Sequence, residues 1–123
     1  MDYVIITNNP AVHELIEEKT GYDLYGIEGT VQEVLVKCEE LFLQGNCHLA
    51  ADPMGGRRAR PFPYLTLILE KGRAASTADW ERIADYSVLN EKRKARYISN
   101  SDRLNEDFRV LDKSLTLTAL KLY

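Results

Sequence analysis

The chain reads as an α/β fold, a small three-layer Rossmann-like domain with three parallel strands, an antiparallel edge strand and two C-terminal helices. Three observations predict that class. Through the first half, short apolar or β-branched runs alternate with amphipathic stretches of helical period, the order that builds right-handed strand–helix–strand crossovers. A strongly apolar run then returns after a connection with no helical period, and the remainder of the chain carries only helical signals. The 123 residues, 45% of them hydrophobic, suffice for one core, so residues 1–123 are expected to form a single domain.

The elements follow in order. Tyr3-Val4-Ile5-Ile6-Thr7 is β-branched and continuously apolar, as suits a strand covered on both faces. Asn8-Asn9-Pro10 supplies a helix cap and a proline at the first helical position, and Val12, Leu15, Ile16 and Lys19 recur at helical spacing, so the first helix spans about Pro10 to Lys19. Thr20-Gly21 closes it, and Tyr22 to Ile27 is the second strand. Thr30 with Glu33 forms a capping box, after which Val31, Val34, Leu35, Cys38, Leu41 and Phe42 make one apolar stripe down to Gln44-Gly45. Cys47 to Ala51 is the third strand, and Tyr64 to Leu69 the fourth, expected to return antiparallel at a sheet edge. Ser76-Thr77-Ala78-Asp79 starts a helix with Trp80, Ile83, Ala84, Ser87 and Val88 at helical spacing. Ser101-Asp102 starts another, with a heptad-like stripe of Leu104, Phe108, Leu111 and Leu115 continuing toward Leu122.

Composition narrows the function classes. Apolar runs such as Tyr64 to Leu69 are far shorter than the roughly 20 residues a membrane span needs, and the first residues read as a strand rather than a leader, so a cytoplasmic protein without membrane attachment is expected. Cys38 and Cys47 are too few for a disulfide scaffold and match no metal-ligand spacing. Residues 1–60 carry 5 Lys and Arg against 10 Asp and Glu, whereas residues 61–123 carry 11 against 9. With a net charge of −3 there is no basic stripe for nucleic acid, although a local anion site remains open. His13 and His48 are the only histidines, so neither a metal site nor a cofactor is expected.

In open parallel sheets ligands bind beyond the carboxyl ends of the strands. Three segments fall there: Thr7-Asn8-Asn9, Glu28-Gly29-Thr30, and the stretch Asp52-Pro53-Met54-Gly55-Gly56-Arg57-Arg58-Ala59-Arg60. The first two open helices and offer free backbone N–H groups to an oxyanion, though Asn-Asn-Pro and Glu-Gly-Thr are also ordinary capping chemistry. In the third, Gly55 and Gly56 permit close backbone approach and Arg57 and Arg58 can grip an oxyanion bidentately. The stretch matches neither a Walker loop nor a dinucleotide fingerprint. Strand alternation places His48, Ala50 and Asp52 on one face, which makes a His48/Asp52 acid–base pair the alternative reading.

Several stretches resemble the GrdX-like proteins. They are Tyr3-Val4-Ile5-Ile6-Thr7-Asn8-Asn9-Pro10; Glu28-Gly29-Thr30 with Glu33-Val34-Leu35; and Gly45, His48-Leu49, Asp52-Pro53-Met54 and Gly56 followed by Pro61, Pro63 and Tyr64. The resemblance covers roughly residues 3–120. The chain departs from the family pattern at Asp52, where the pattern has histidine, and at Arg57-Arg58-Ala59-Arg60, which replaces a lysine-bearing segment. The resemblance implies a small protein of an anaerobic, amino-acid-fermenting bacterium, encoded beside the glycine reductase system, and it supplies no catalytic residues.

The leading expectation is therefore a non-catalytic accessory or regulatory protein of glycine, sarcosine or betaine reductase metabolism. It would bind a small anionic ligand through Thr7, Asn8, Asn9, Gly29, Thr30, His48, Asp52, Gly55, Gly56, Arg57 and Arg58. The second is a small enzyme using His48 with Asp52 on an anionic substrate. The third is a module whose C-terminal helices, with the charged stretch Glu91 to Arg96, dock a protein partner of the reductase system. An open sheet edge adds homo-oligomerisation to the partner classes.

Overall fold

The computed structural model describes residues 2–53, 63–93 and 102–121. Within them the chain forms strands β1 (Tyr3–Thr7), β2 (Asp23–Gly26), β3 (Cys47–Ala51) and β4 (Thr66–Lys71), and helices α1 (Pro10–Lys19), α2 (Val31–Leu43), α3 (Thr77–Arg93) and α4 (Asp102–Leu120). One sheet holds all four strands in the order β2-β1-β4-β3. β1 pairs with β2 in parallel, and β4 runs antiparallel to both β1 and β3.

This corrects the expected pairing. β1, β2 and β3 point the same way, but β4 lies inside the sheet rather than at its edge, so there is one parallel pair instead of three strands paired in parallel. The reason is apolarity: Leu65, Thr66, Leu67, Ile68 and Leu69 are all buried, and a run covered on both faces belongs in the middle of a sheet. Cys47-His48-Leu49-Ala50-Ala51 is less apolar and takes the edge. There the Leu49 N–H donates to Asp79 Oδ2 on α3 at 3.3 Å, which blunts the exposed strand.

Alternation along the strands splits the core in two. Val4, Ile6, Leu67 and Leu69 pack with Val34, Leu35, Cys38, Leu41 and Phe42 of α2 and with Ile83 and Tyr86 of α3. Ile5 and Ile68 pack with Val12 and Ile16 of α1 and Leu120 of α4. Phe42 and Trp80 meet edge to face at 5.2 Å, joining α2 to α3. Gly45, at φ +82°, turns the chain out of α2 by the left-handed route that glycine takes without strain, and Gly45 N–H donates to Phe42 O.

Both C-terminal helices depart from their expected stripes. In α3 the buried positions are Ile83 and Tyr86, whereas Ala84 and Val88 are exposed. In α4 the deepest positions are Asp112, Thr116 and Leu120, with Phe108, Leu111 and Leu115 half-buried. In α3 Trp80 and Ile83 of the expected stripe do face the core and Tyr86 joins them; in α4 the inner face lies one residue further on, because Asp112 and Thr116 find internal partners there. No helix among the described residues is long and apolar enough to cross a membrane.

Candidate functional site

The carboxyl ends of β1 and β2 and the start of β4 meet at one end of the sheet, and Asn8 ties them together. Its Nδ2 donates to Gly29 O at 3.0 Å and to Pro63 O at 2.9 Å, and its Oδ1 accepts from the Leu65 N–H at 2.8 Å. Every side-chain polar atom of Asn8 is thus committed to protein, and the residue is 8% exposed.

Asn9 is the N-cap of α1, its Oδ1 accepting from the Ala11 N–H at 3.0 Å, as the Asn-Asn-Pro spacing requires. Its Nδ2 donates to Arg109 O and to Asp112 Oδ2, each at 3.0 Å, and its own N–H donates to Thr7 Oγ1. Thr7 Oγ1 lies 2.8 Å from Thr66 Oγ1, which lies 2.7 Å from Asp112 Oδ2. Thr7, Asn9, Thr66 and Asp112 form one buried polar cluster in which none is more than 1% exposed. Burial pushes the Asp112 carboxyl above the usual aspartate range; the hydrogen bonds from Asn9 and Thr66 pull the other way and Asp52 adds to the rise.

At the start of α2 the same pattern repeats nearer the surface. Thr30 Oγ1 accepts from the Glu33 N–H, and the Glu33 carboxylate lies over Gly29, in the space any larger residue there would claim. Each helix N-terminus therefore has one of the protein's own acids beside it, Asp112 at α1 and Glu33 at α2. Side-chain caps also fill both positions, Asn9 Oδ1 taking the Ala11 N–H and Thr30 Oγ1 the Glu33 N–H, so the sites read as open to an oxyanion are served from within.

His48 and Asp52 are not brought together. The pairing of β3 with β4 slips between Leu49 and Ala51, so that Leu49 opposes Leu69 and Ala51 opposes Ile68, with Ala50 as the extra residue. The bulge reverses the alternation that had placed His48 and Asp52 on one face. His48, opposite Glu70, has its Nε2 3.4 Å from Glu70 Oε1, and its Nδ1 is buried without a hydrogen-bond partner. Asp52 accepts a hydrogen bond from the Tyr86 hydroxyl on α3, on the other side of the sheet. A histidine base oriented by this aspartate is not what the fold assembles.

Gly55, Gly56, Arg57 and Arg58 lie outside the described residues, as do residues 94–96 of the charged stretch after α3. The two ends of the connection that carries the glycines and arginines are described, and both are held. Tyr86 holds Asp52 at one end; at the other, Asn8 holds Pro63 and Leu65, and Arg109 Nη1 donates to the Tyr64 hydroxyl at 2.9 Å. Arg109 also pairs with Glu106 one helical turn earlier.

Thr66, Tyr86, Arg109, Asp112 and Thr116 were not singled out from the sequence. One signal was available for Asp112 and Thr116: they stand four apart among leucines, in register with Leu120, so they interrupt an apolar face at helical spacing. Thr66 falls inside the expected fourth strand, and Tyr86 off the expected stripe of its helix, with no local signal to mark either. Among the described residues no three His, Cys, Asp or Glu side chains converge as a metal-ligand set.

The family model described as GrdX-like protein matches residues 4–121 of the chain. No curated protein and no solved structure gives a significant match.

Proposed function

This chain belongs to the GrdX-like protein family, and from that premise we propose that it is a non-catalytic accessory or regulatory protein of the glycine, sarcosine or betaine reductase system that takes a small oxyanion on the connection between β3 and β4. The family name supports the metabolic association. The observation that supports binding at this connection is the anchoring of its two ends by long-range side-chain bonds from α3, β1 and α4. A recognition loop needs such a frame, since fixed ends reduce the conformational entropy lost when a ligand orders what lies between. The residues between the ends include Gly55 and Gly56, which suit close approach, and Arg57, Arg58 and Arg60, whose guanidinium groups match an oxyanion. In this reading Asn8, Asn9 and Thr30 build the frame rather than touch the ligand.

Thermal denaturation with phosphate, sulfate, a nucleoside phosphate and glycine tests this. A ligand at about 100 times its Kd stabilises by about 2.7 kcal/mol, a plain shift in Tm. The expected result is such a shift with at least one oxyanion, lost in the Arg57→Ala/Arg58→Ala double variant while its unliganded Tm stays put. No shift with any oxyanion, or an equal shift in the double variant, would sink the proposal.

A further inference from the structure

We propose that Asp112, Thr66 and Thr7 form a proton-operated latch, which fastens α4 to the strand ends while Asp112 is a neutral acid and loosens it when that proton leaves. The geometry starts from what holds α4 in place. Along its inner face Leu120 is the one buried apolar side chain among the described residues of α4, and the positions above it are Asp112 and Thr116, each 0% exposed. Thr116 turns its hydroxyl back to Asp112 O within the helix. The side-chain bonds from the α4 inner face run through the Asp112 carboxyl, to Thr66 of β4 and to Asn9 at the head of α1, beside the one from Asn9 to the Arg109 carbonyl.

Three facts about that carboxyl favour the neutral form. Its Oδ1 is buried with no hydrogen-bond partner, which costs more for a carboxylate oxygen than for the carbonyl oxygen of an acid. Among the described residues no cation is paired with it: Arg109 sends its guanidinium to Glu106 and Tyr64, and His13 of α1 pairs with Glu17 at the surface. Beyond the strands, Asp52 adds negative charge, while β1 and β4 present only the neutral Thr7 and Thr66. An unpaired buried carboxylate costs several kcal/mol even after relaxation.

The hydroxyls reverse their hydrogen-bond direction with the proton, so the latch weakens through the cost of burying the charge and not through an immediate loss of partners. Between Thr7 Oγ1 and Thr66 Oγ1 either atom can donate. With Asp112 ionised, Thr7 donates to Thr66 and Thr66 to the carboxylate. With Asp112 neutral, its Oδ2–H donates to Thr66 and Thr66 to Thr7, which in both cases also accepts from the Asn9 N–H. The folded state binds this proton more tightly than the unfolded chain. The stability it contributes is complete below the ordinary aspartate value of about 3.9 and is lost as pH rises through the higher folded-state value. Because Arg109 of α4 donates to the Tyr64 hydroxyl, loosening α4 also weakens one of the bonds at the β4 end of the connection, where the Asn8 bonds to Pro63 and Leu65 stay in place.

The test compares full-length wild type with Asp112→Asn, which keeps the shape and cannot ionise. As pH rises above the ordinary aspartate value of about 3.9, the wild-type Tm should fall relative to the variant by about 4 °C for each tenfold weakening of folding, with faster amide exchange confined to α4 after correction for intrinsic rates. Carbon-13 NMR of labelled aspartate in wild type supplies a readout that does not need the variant: the Asp112 carboxyl should titrate above the ordinary aspartate value of about 3.9. Parallel Tm curves for the two proteins, or an Asp112 carboxyl titrating with the surface aspartates, would overturn the latch.

Discussion

Asn8→Ala separates a framework residue from a ligand contact. The substitution removes two donor bonds, to Gly29 O and Pro63 O, and one acceptor bond from the Leu65 N–H, at 3.0, 2.9 and 2.8 Å. At about 0.5–1.5 kcal/mol each these sum to roughly 1.5–4.5 kcal/mol, and the Leu65 amide, in a residue 4% exposed, is left without its side-chain acceptor, which keeps the value off the low end. A loss of about 3 kcal/mol in the unliganded protein is expected, close to 10 °C in Tm for a domain of this size. Urea and thermal denaturation of the unliganded variant measure it, and hydrogen exchange should show the loss centred on residues 63–65 and 27–30. If the unliganded variant keeps wild-type stability to within about 1 kcal/mol while its response to oxyanions disappears, Asn8 is a ligand contact and the framework reading is wrong.

Two further outcomes are expected. Tyr86→Phe removes the hydroxyl that donates to the Asp52 carboxylate and should cost about 1.5–3 kcal/mol, with exchange rising at residues 51–53; an unchanged Tm would show that Asp52 is held by other contacts. Cys38 and Cys47 are 0% and 7% exposed, and burial pushes both thiols upward, so at about pH 8 alkylation of the native protein should be slow at both and rapid in denaturant. Prompt labelling of either in the native state would contradict the packing of α2 on the sheet.

Local chemistry made much of the molecule legible. The capping sequences Asn8-Asn9-Pro10 and Thr30 to Glu33 placed the starts of α1 and α2 because a cap is satisfied by atoms within three residues. The apolar stripe of α2 was read correctly because its partners are all apolar and one meridian suffices. The strand positions of His48 and Asp52 were also correct, yet the face they share was not. One bulged residue, Ala50, inverts alternation from that point on, and a bulge is fixed by the partner strand, not by the strand's own sequence. In α4 Leu104, Phe108, Leu111 and Leu115 recur at helical spacing, so periodicity favoured them; the inner face went to Asp112 and Thr116 because Thr66, Asn9 and the helix backbone supply their hydrogen bonds.

By itself, then, the sequence determined the number and order of the elements, the helix starts, and which loops stand at the carboxyl ends of the first three strands. The tertiary structure decided which strands are neighbours and which polar groups are already used. Both depend on residues far apart in the chain: the insertion of β4 between β1 and β3 joins Thr7 to Thr66, and Asn8 to Pro63 and Leu65, across more than fifty residues. The Asn8 and Asn9 side chains, read as ligand contacts, are consumed by distant partners, while the Ala11 and Glu33 N–H groups are taken by local caps. The physical reason is that a hydrogen-bonding group is available to a ligand only after the folded chain's own demands are met, and those demands become visible only once the strands are in place.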